Sequence, residues 1–162
     1  MGGKDARRRA AKQKRRASRK SNASKRKAAR PAPSGYHAER ALDAHAWQAL
    51  SPDERLEQVE AYHQRLPGGR PPPDPRRHAA LHVLVEDQLA AEDPPEVLSA
   101  LGRLVQDGMT RHEALHAVGF IATQVMQRAV ETRSAPDFEG YAQQLRGLDR
   151  AGFEAIVQRS LA

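Results

Sequence analysis

The sequence predicts an all-α protein: a compact bundle of antiparallel helices over residues 36–162, preceded by a disordered basic arm over residues 1–35. Three observations point there. From about Tyr36 onward apolar residues recur at spacings of three and four, and no stretch alternates at period two with β-branched side chains. The same region is punctuated by helix caps, by prolines at first helical positions and by glycine stops. By contrast, residues 1–30 hold 14 Lys or Arg and one acid, Asp5, for a net charge of +13, while residues 31–162 hold 13 basic and 19 acidic side chains, net −6.

Every lysine lies at or before Lys27, and residues 2–35 contain no Val, Leu, Ile, Met or aromatic side chain, so the arm has nothing from which to build a core. A cationic segment of this kind contacts phosphates by counterion release, without sequence preference and less strongly as salt rises. The candidate nucleic-acid contacts are Arg7, Arg8, Arg9, Lys12, Lys14, Arg15, Arg16, Arg19, Lys20, Lys25, Arg26 and Lys27. No aromatic residue is interleaved with them, so the expected contact is to the nucleic-acid backbone rather than to stacked bases. The alternative is a solvated, solubilising tail. Alanine is the largest apolar side chain between residues 2 and 35, which removes both a secretory signal and an amphipathic transit peptide. No apolar run approaches the roughly 20 residues that span a bilayer, so a cytoplasmic protein without membrane contact is expected. The chain has no cysteine, which excludes disulfides, thiolate metal sites and cysteine nucleophiles.

Within the body, His37 to Leu50 reads as a first helix, with Leu42, Ala46, Trp47 and Leu50 at helical spacing. Ser51-Pro52-Asp53-Glu54 supplies an N-cap, a proline at the first helical position and first-turn acids for a second helix, running to about Leu66. Pro67-Gly68-Gly69 and Pro71-Pro72-Pro73 break the chain into an extended linker. Three helices follow: about Pro75 to Ala91, then from the Asp93-Pro94 cap to Gly108, then from Thr110 to about Arg133. Turns this short make successive helices antiparallel, so the first and third of the three are expected to run parallel. The segment from about Pro136 to Leu161 reads as a helical hairpin on Phe138, Tyr141, Leu145, Leu148, Phe153, Ile156 and Val157.

A short motif occurs twice. Arg77-His78-Ala79-Ala80-Leu81-His82 and Arg111-His112-Glu113-Ala114-Leu115-His116 agree at five of six positions with an offset of 34. Histidines four apart share one face of a helix. Leu81, Val85 and Leu89 are expected to form the buried stripe of the first of these helices, with His78, His82 and Glu86 on its flank. Leu115, Val118, Ala122 and Met126 form the stripe of the other, flanked by His112 and His116. Imidazole donors suit a divalent ion, Zn first, with Fe, Ni or Mn as alternatives, and the helix N-termini favour the neutral, ligating form. The candidate metal site is therefore His78, His82, His112 and His116, with Glu86 as a further ligand or as the partner of one. The competing reading leaves these imidazoles hydrogen-bonded across a helix interface in a non-enzymatic nucleic-acid or protein interaction module. His37, His45 and His63 have no partner at ligand spacing and are expected at the surface or at interfaces.

A further reading takes His112-Glu113-Ala114-Leu115-His116 as the H-E-x-x-H pattern of zinc peptidases, with Glu113 as general base. The match extends to Gly119, but the place of a third histidine is taken by Ala122, and neither Glu131 nor Glu139 is marked as a substitute. Thr110-x-x-Glu113 is also a capping box, which accounts for the glutamate by itself. The sequence thus favours a binding protein over an enzyme.

From about Trp47 to Val130, roughly half of the chain, the sequence resembles a bacterial family of small proteins catalogued only as a domain of unknown function. The residues that carry the resemblance are Tyr62-His63, His78-Ala79-Ala80-Leu81-His82, Glu86-Asp87-Gln88-Leu89, Asp93-Pro94-Pro95-Glu96-Val97, Gly108, and the run from Arg111 to Gly119. The resemblance implies no particular activity, cofactor or fold. The basic arm and the C-terminal hairpin lie outside it.

Overall fold

The structure is a computed structural model in which residues 35–66 and 72–161 are described. The basic arm, with all of its candidate nucleic-acid contacts, and residues 67–71 of the linker lie outside the described residues. Gly35–Ala162 forms one compact unit. Among the described residues there are seven helices and no strand: α1 Ala44–Gln48, α2 Pro52–Gln64, α3 Pro75–Ala91, α4 Glu96–Gln106, α5 Arg111–Thr132, α6 Phe138–Arg146 and α7 Arg150–Leu161. None of these helices is long and apolar enough to cross a membrane.

Local chemistry sets most of the boundaries. Ser51 and Glu54 form a reciprocal capping box at the start of α2, with Pro52 at its first position. Asp74 accepts from the Arg77 amide at 3.0 Å and starts α3 at Pro75. Thr110 and Glu113 form the second capping box, opening α5. Gly108, with φ at +87°, turns the chain between α4 and α5 in a conformation open to glycine at no steric cost.

Two boundaries differ from expectation. The helix expected over His37 to Leu50 shrinks to α1, because the Asp43 side chain accepts from the Ala46 amide at 3.0 Å and begins the helix there. Ahead of it the chain turns at His37–Arg40, while Tyr36 and Ala38 are buried and the Ala38 carbonyl accepts from Arg111 at 2.7 Å. Contacts with distant helices thus override local helical spacing. In α4, Asp93 makes no capping bond and the helix begins only at Glu96.

The core is built on Val59, Val85, Val97, Leu104, Leu115, Val118, Ile121 and Leu145, all fully buried. The buried face of α3 is rotated from the expected one. His82 and Glu86 are completely buried, while Leu81 and Leu89 are only partly so. On α5 Met126 is 46% exposed, and on α6 Phe138 is 65% exposed, so neither joins the core.

Helices α3 and α5 meet closely because Gly119 lacks a side chain: a Cβ there would stand 2.5 Å from Leu81 Cδ2. Their contacts progress in opposite senses along the two helices. Leu81 lies at Gly119, His82 at His116 and Glu86 at Arg111. A parallel register would hold Glu86 and Arg111 more than two helical turns apart, beyond the reach of their side chains. The two histidine pairs are therefore brought together where the helices cross at His82 and His116, and not by a parallel alignment of the repeat.

Candidate metal centre

Three helices contribute imidazoles to one point. His63 comes from the last turn of α2, His78 and His82 from α3, and His112 and His116 from α5. One nitrogen from each of these five rings lies within 4.8 Å of all the others. His63 Nε2 is 3.0 Å from His78 Nε2 and 3.1 Å from His112 Nε2, and His82 Nε2 is 2.9 Å from His116 Nε2. Two imidazole nitrogens each about 2.1 Å from a common ion stand roughly 3.0 Å apart at a right angle and roughly 3.4 Å apart at the tetrahedral angle. These three closest pairs match neighbouring ligands at a right angle, while the full spread of 4.8 Å exceeds the roughly 4.2 Å between opposite ligands, so the rings would draw in on an ion.

All four histidines expected in the site are in it, and His63, expected at the surface or at an interface and not as a ligand, joins them. A search for two histidines on one helix misses it, because α2 supplies a single ring. Its signal lies elsewhere: His63 follows the fully buried Val59 by one turn, on the inward face of α2. That same Val59 orients it. His63 Nδ1 is 2.9 Å from the Val59 carbonyl, which can only accept, so Nδ1 carries the proton and the bare Nε2 faces the cluster. The other two histidines stay outside. His37 packs beside Tyr62 and His45 is exposed.

Burial disfavours the charged form of every ring in the group. It pushes His78 down to about 4 and His116 to about 3, with neighbouring imidazoles adding to the effect in both. His82, fully buried and surrounded by the other four, is lowered furthest, and His63 and His112 are also lowered, chiefly by burial. Five neutral imidazoles facing one another are in the protonation state that binds a metal ion. Tyr62 forms a wall of the site, edge-on to His63 and His112 at centroid distances of 5.1 Å and 6.2 Å.

Glu86 stands behind the cluster rather than among its nitrogens. Its two oxygens accept from Arg111 Nη1 and Nη2, each at 2.8 Å, and Oε1 also accepts from the Tyr36 hydroxyl at 3.1 Å. That hydroxyl is 3.0 Å from His82 Nδ1. Burial alone would lower the pKa of Arg111, but its hydrogen bonds to Glu86 and the charge of that carboxylate raise it above the usual guanidinium value. Burial and the adjacent Glu86 raise the Tyr36 phenol well above its ordinary range.

The peptidase pattern divides between two surroundings. His112 and His116 are in the cluster, but the Glu113 carboxylate is exposed and accepts from the Thr110 amide at 2.8 Å, while the Glu113 amide donates to the Thr110 hydroxyl at 3.1 Å. These bonds to Thr110 hold the carboxyl below the usual range and fix it at the helix start. Glu131 accepts from Gln127, Glu139 pairs with Arg146, and both are exposed. Comparison of the chain with protein-family models, curated proteins and solved structures finds no match.

Proposed function

We propose that this protein binds one divalent transition-metal ion through His63, His78, His82, His112 and His116. The observation that supports this reading is the convergence of five imidazole nitrogens, from three helices, within 4.8 Å. A helix interface with no ligand to hold packs more cheaply with apolar side chains than with five buried or half-buried imidazoles. The donor set is all nitrogen, which suits Zn, Fe or Ni better than ions that prefer oxygen, such as Mn or Mg. Zinc is the first ion to test. The basic arm complements this activity with non-specific nucleic-acid contact, a reading supported by its net charge of +13 against −6 in the remainder.

Metal analysis of the full chain, purified without a histidine tag or chelator, tests the reading directly. One ion per chain is expected, with a rise in thermal midpoint on adding zinc to metal-stripped protein. Substitutions His82→Ala and His116→Ala should each lower metal content and abolish most of that rise. Wild-type protein that holds no metal and does not respond to zinc would leave only the interaction module with structural histidines.

A further inference from the structure

Behind His82 lies a hydrogen-bond chain that five converging imidazoles do not need for their own cohesion. Its members are among the most deeply placed polar groups of the fold: the Glu86 side chain is 0% exposed, that of Arg111 is 13% exposed and Tyr36 is 4% exposed. A buried ion pair generally adds little stability over apolar side chains of the same volume. Its hydrogen bonds, however, have one consistent direction.

Arg111 donates to both oxygens of Glu86, so the carboxylate is an acceptor throughout. The Tyr36 hydroxyl, 3.1 Å from Oε1, therefore gives its single proton to Glu86. Only lone pairs remain on that oxygen to face His82 Nδ1 at 3.0 Å, and the contact is a hydrogen bond only when Nδ1 carries the ring proton. Nε2 is then bare. Nε2 is also the atom that points into the cluster, 2.9 Å from His116 Nε2.

We propose that Tyr36, held by the Glu86–Arg111 pair, is the positioning residue of the metal centre: it fixes His82 as the Nδ1–H tautomer and aims the Nε2 lone pair at the ion. The consequence for metal affinity rests on the metal-binding reading above, whereas the tautomer assignment rests on hydrogen bonding alone. Arg111 serves the device twice. Besides clamping Glu86, its Nη1 donates to the Ala38 carbonyl at 2.7 Å, pinning the non-helical segment that carries Tyr36 against α5. The same tautomer is reached at His63 by a different route, through the Val59 carbonyl. A carboxylate linked to the distal nitrogen of a ligating histidine both orients the ring and strengthens it as a donor.

The test has two arms, both on the full chain. Long-range proton–nitrogen NMR of the metal-free protein, with the His82 signals assigned by their loss in His82→Gln, reads the tautomer. Wild type should show Nδ1–H at His82, and Tyr36→Phe should show a mixture of tautomers. In competition with a chromophoric chelator, Tyr36→Phe should weaken zinc binding by about 10- to 100-fold while the stoichiometry stays unchanged. A structural role alone would lower stability and leave the tautomer as it is. Nε2–H at His82 in wild type, or zinc affinity in Tyr36→Phe equal to that of wild type, would overturn the proposal. Wild-type protein with no zinc affinity would instead overturn the metal reading, and the NMR arm, which needs neither metal nor a stable Tyr36 variant, would still decide the tautomer.

Discussion

At the scale of single residues, the histidine cluster sets an acid limit on the fold. In the unfolded chain each ring titrates near pH 6.5. In the folded chain burial holds His78 at about 4 and His116 at about 3, with His82 lower still. Above the unfolded value both states carry neutral rings and the difference vanishes. As the pH falls below it, the unfolded chain takes up protons that the folded chain refuses, so stability drops until the folded values are reached. His82, fully buried, accounts for about 2 kcal/mol of loss between pH 6.5 and 5. The half-buried rings contribute less each, because solvent screens them. Urea unfolding of metal-stripped protein in the presence of a chelator should therefore show a midpoint falling steadily over that interval. A flat profile would mean that the rings accept protons in place. With zinc saturating, the profile should lie higher with at least the same slope, since the bound ion also keeps protons off these nitrogens.

At the scale of elements, the contact between α3 and α5 decides whether the two halves of the repeated motif can meet. Alanine is a better helix former than glycine by about 1 kcal/mol, so Gly119→Ala would stabilise an isolated α5. In the folded protein the new methyl group would stand 2.5 Å from Leu81 Cδ2, one residue from His82. Gly119→Ala should therefore destabilise by about 1–3 kcal/mol and weaken zinc binding, as Leu81 is driven back and α3 with it. Gly102→Ala is the control. It lies within α4 with nothing within 4 Å of the added carbon, and it should stabilise slightly. Chemical denaturation and zinc titration of the two variants check the pair, and a stabilised Gly119→Ala with full affinity would refute the argument. The same contact shows what was legible in the sequence. The boxes Ser51/Glu54 and Thr110/Glu113 are local, and they mark the starts of α2 and α5 where the sequence places them. The duplicated His-x-x-x-His motif announces four of the five rings. His63 has no partner on its own helix, and the non-helical path of Tyr36 depends on Arg111, 75 positions along the chain, so neither follows from spacing. The rotated face of α3 has the same origin: Glu86 is buried because Arg111 and Tyr36 satisfy it, a fact invisible to a rule that sends charged residues outward.

At the scale of the whole molecule, charge divides where apolar content does. Residues 1–30 carry net +13 with no large apolar side chain beyond Met1, and residues 31–162 carry net −6 with the whole of the histidine cluster. On the proposed reading nucleic-acid contact belongs to the arm, because an acidic body repels phosphate and a cationic arm attracts it. Each phosphate neutralised releases condensed counterions, so affinity falls steeply with salt. With six to ten contacts the loss between about 50 mM and 200 mM salt is on the order of 10³-fold or more. Full-length protein should therefore bind duplexes of unrelated sequence equally well and show this slope in fluorescence anisotropy. Replacing Arg7, Arg8, Arg9, Lys12, Lys14, Arg15, Arg16, Arg19, Lys20, Lys25, Arg26 and Lys27 by glutamine should abolish the binding. The zinc content and thermal midpoint of that variant should match wild type, since the substituted segment has no apolar side chain larger than alanine to lend a core. If the neutralised variant bound nucleic acid as well as wild type, the contact surface would have to lie on the helical body. If instead it lost zinc as well, the arm would be shown to take part in the metal centre, and the division of roles by charge would fail.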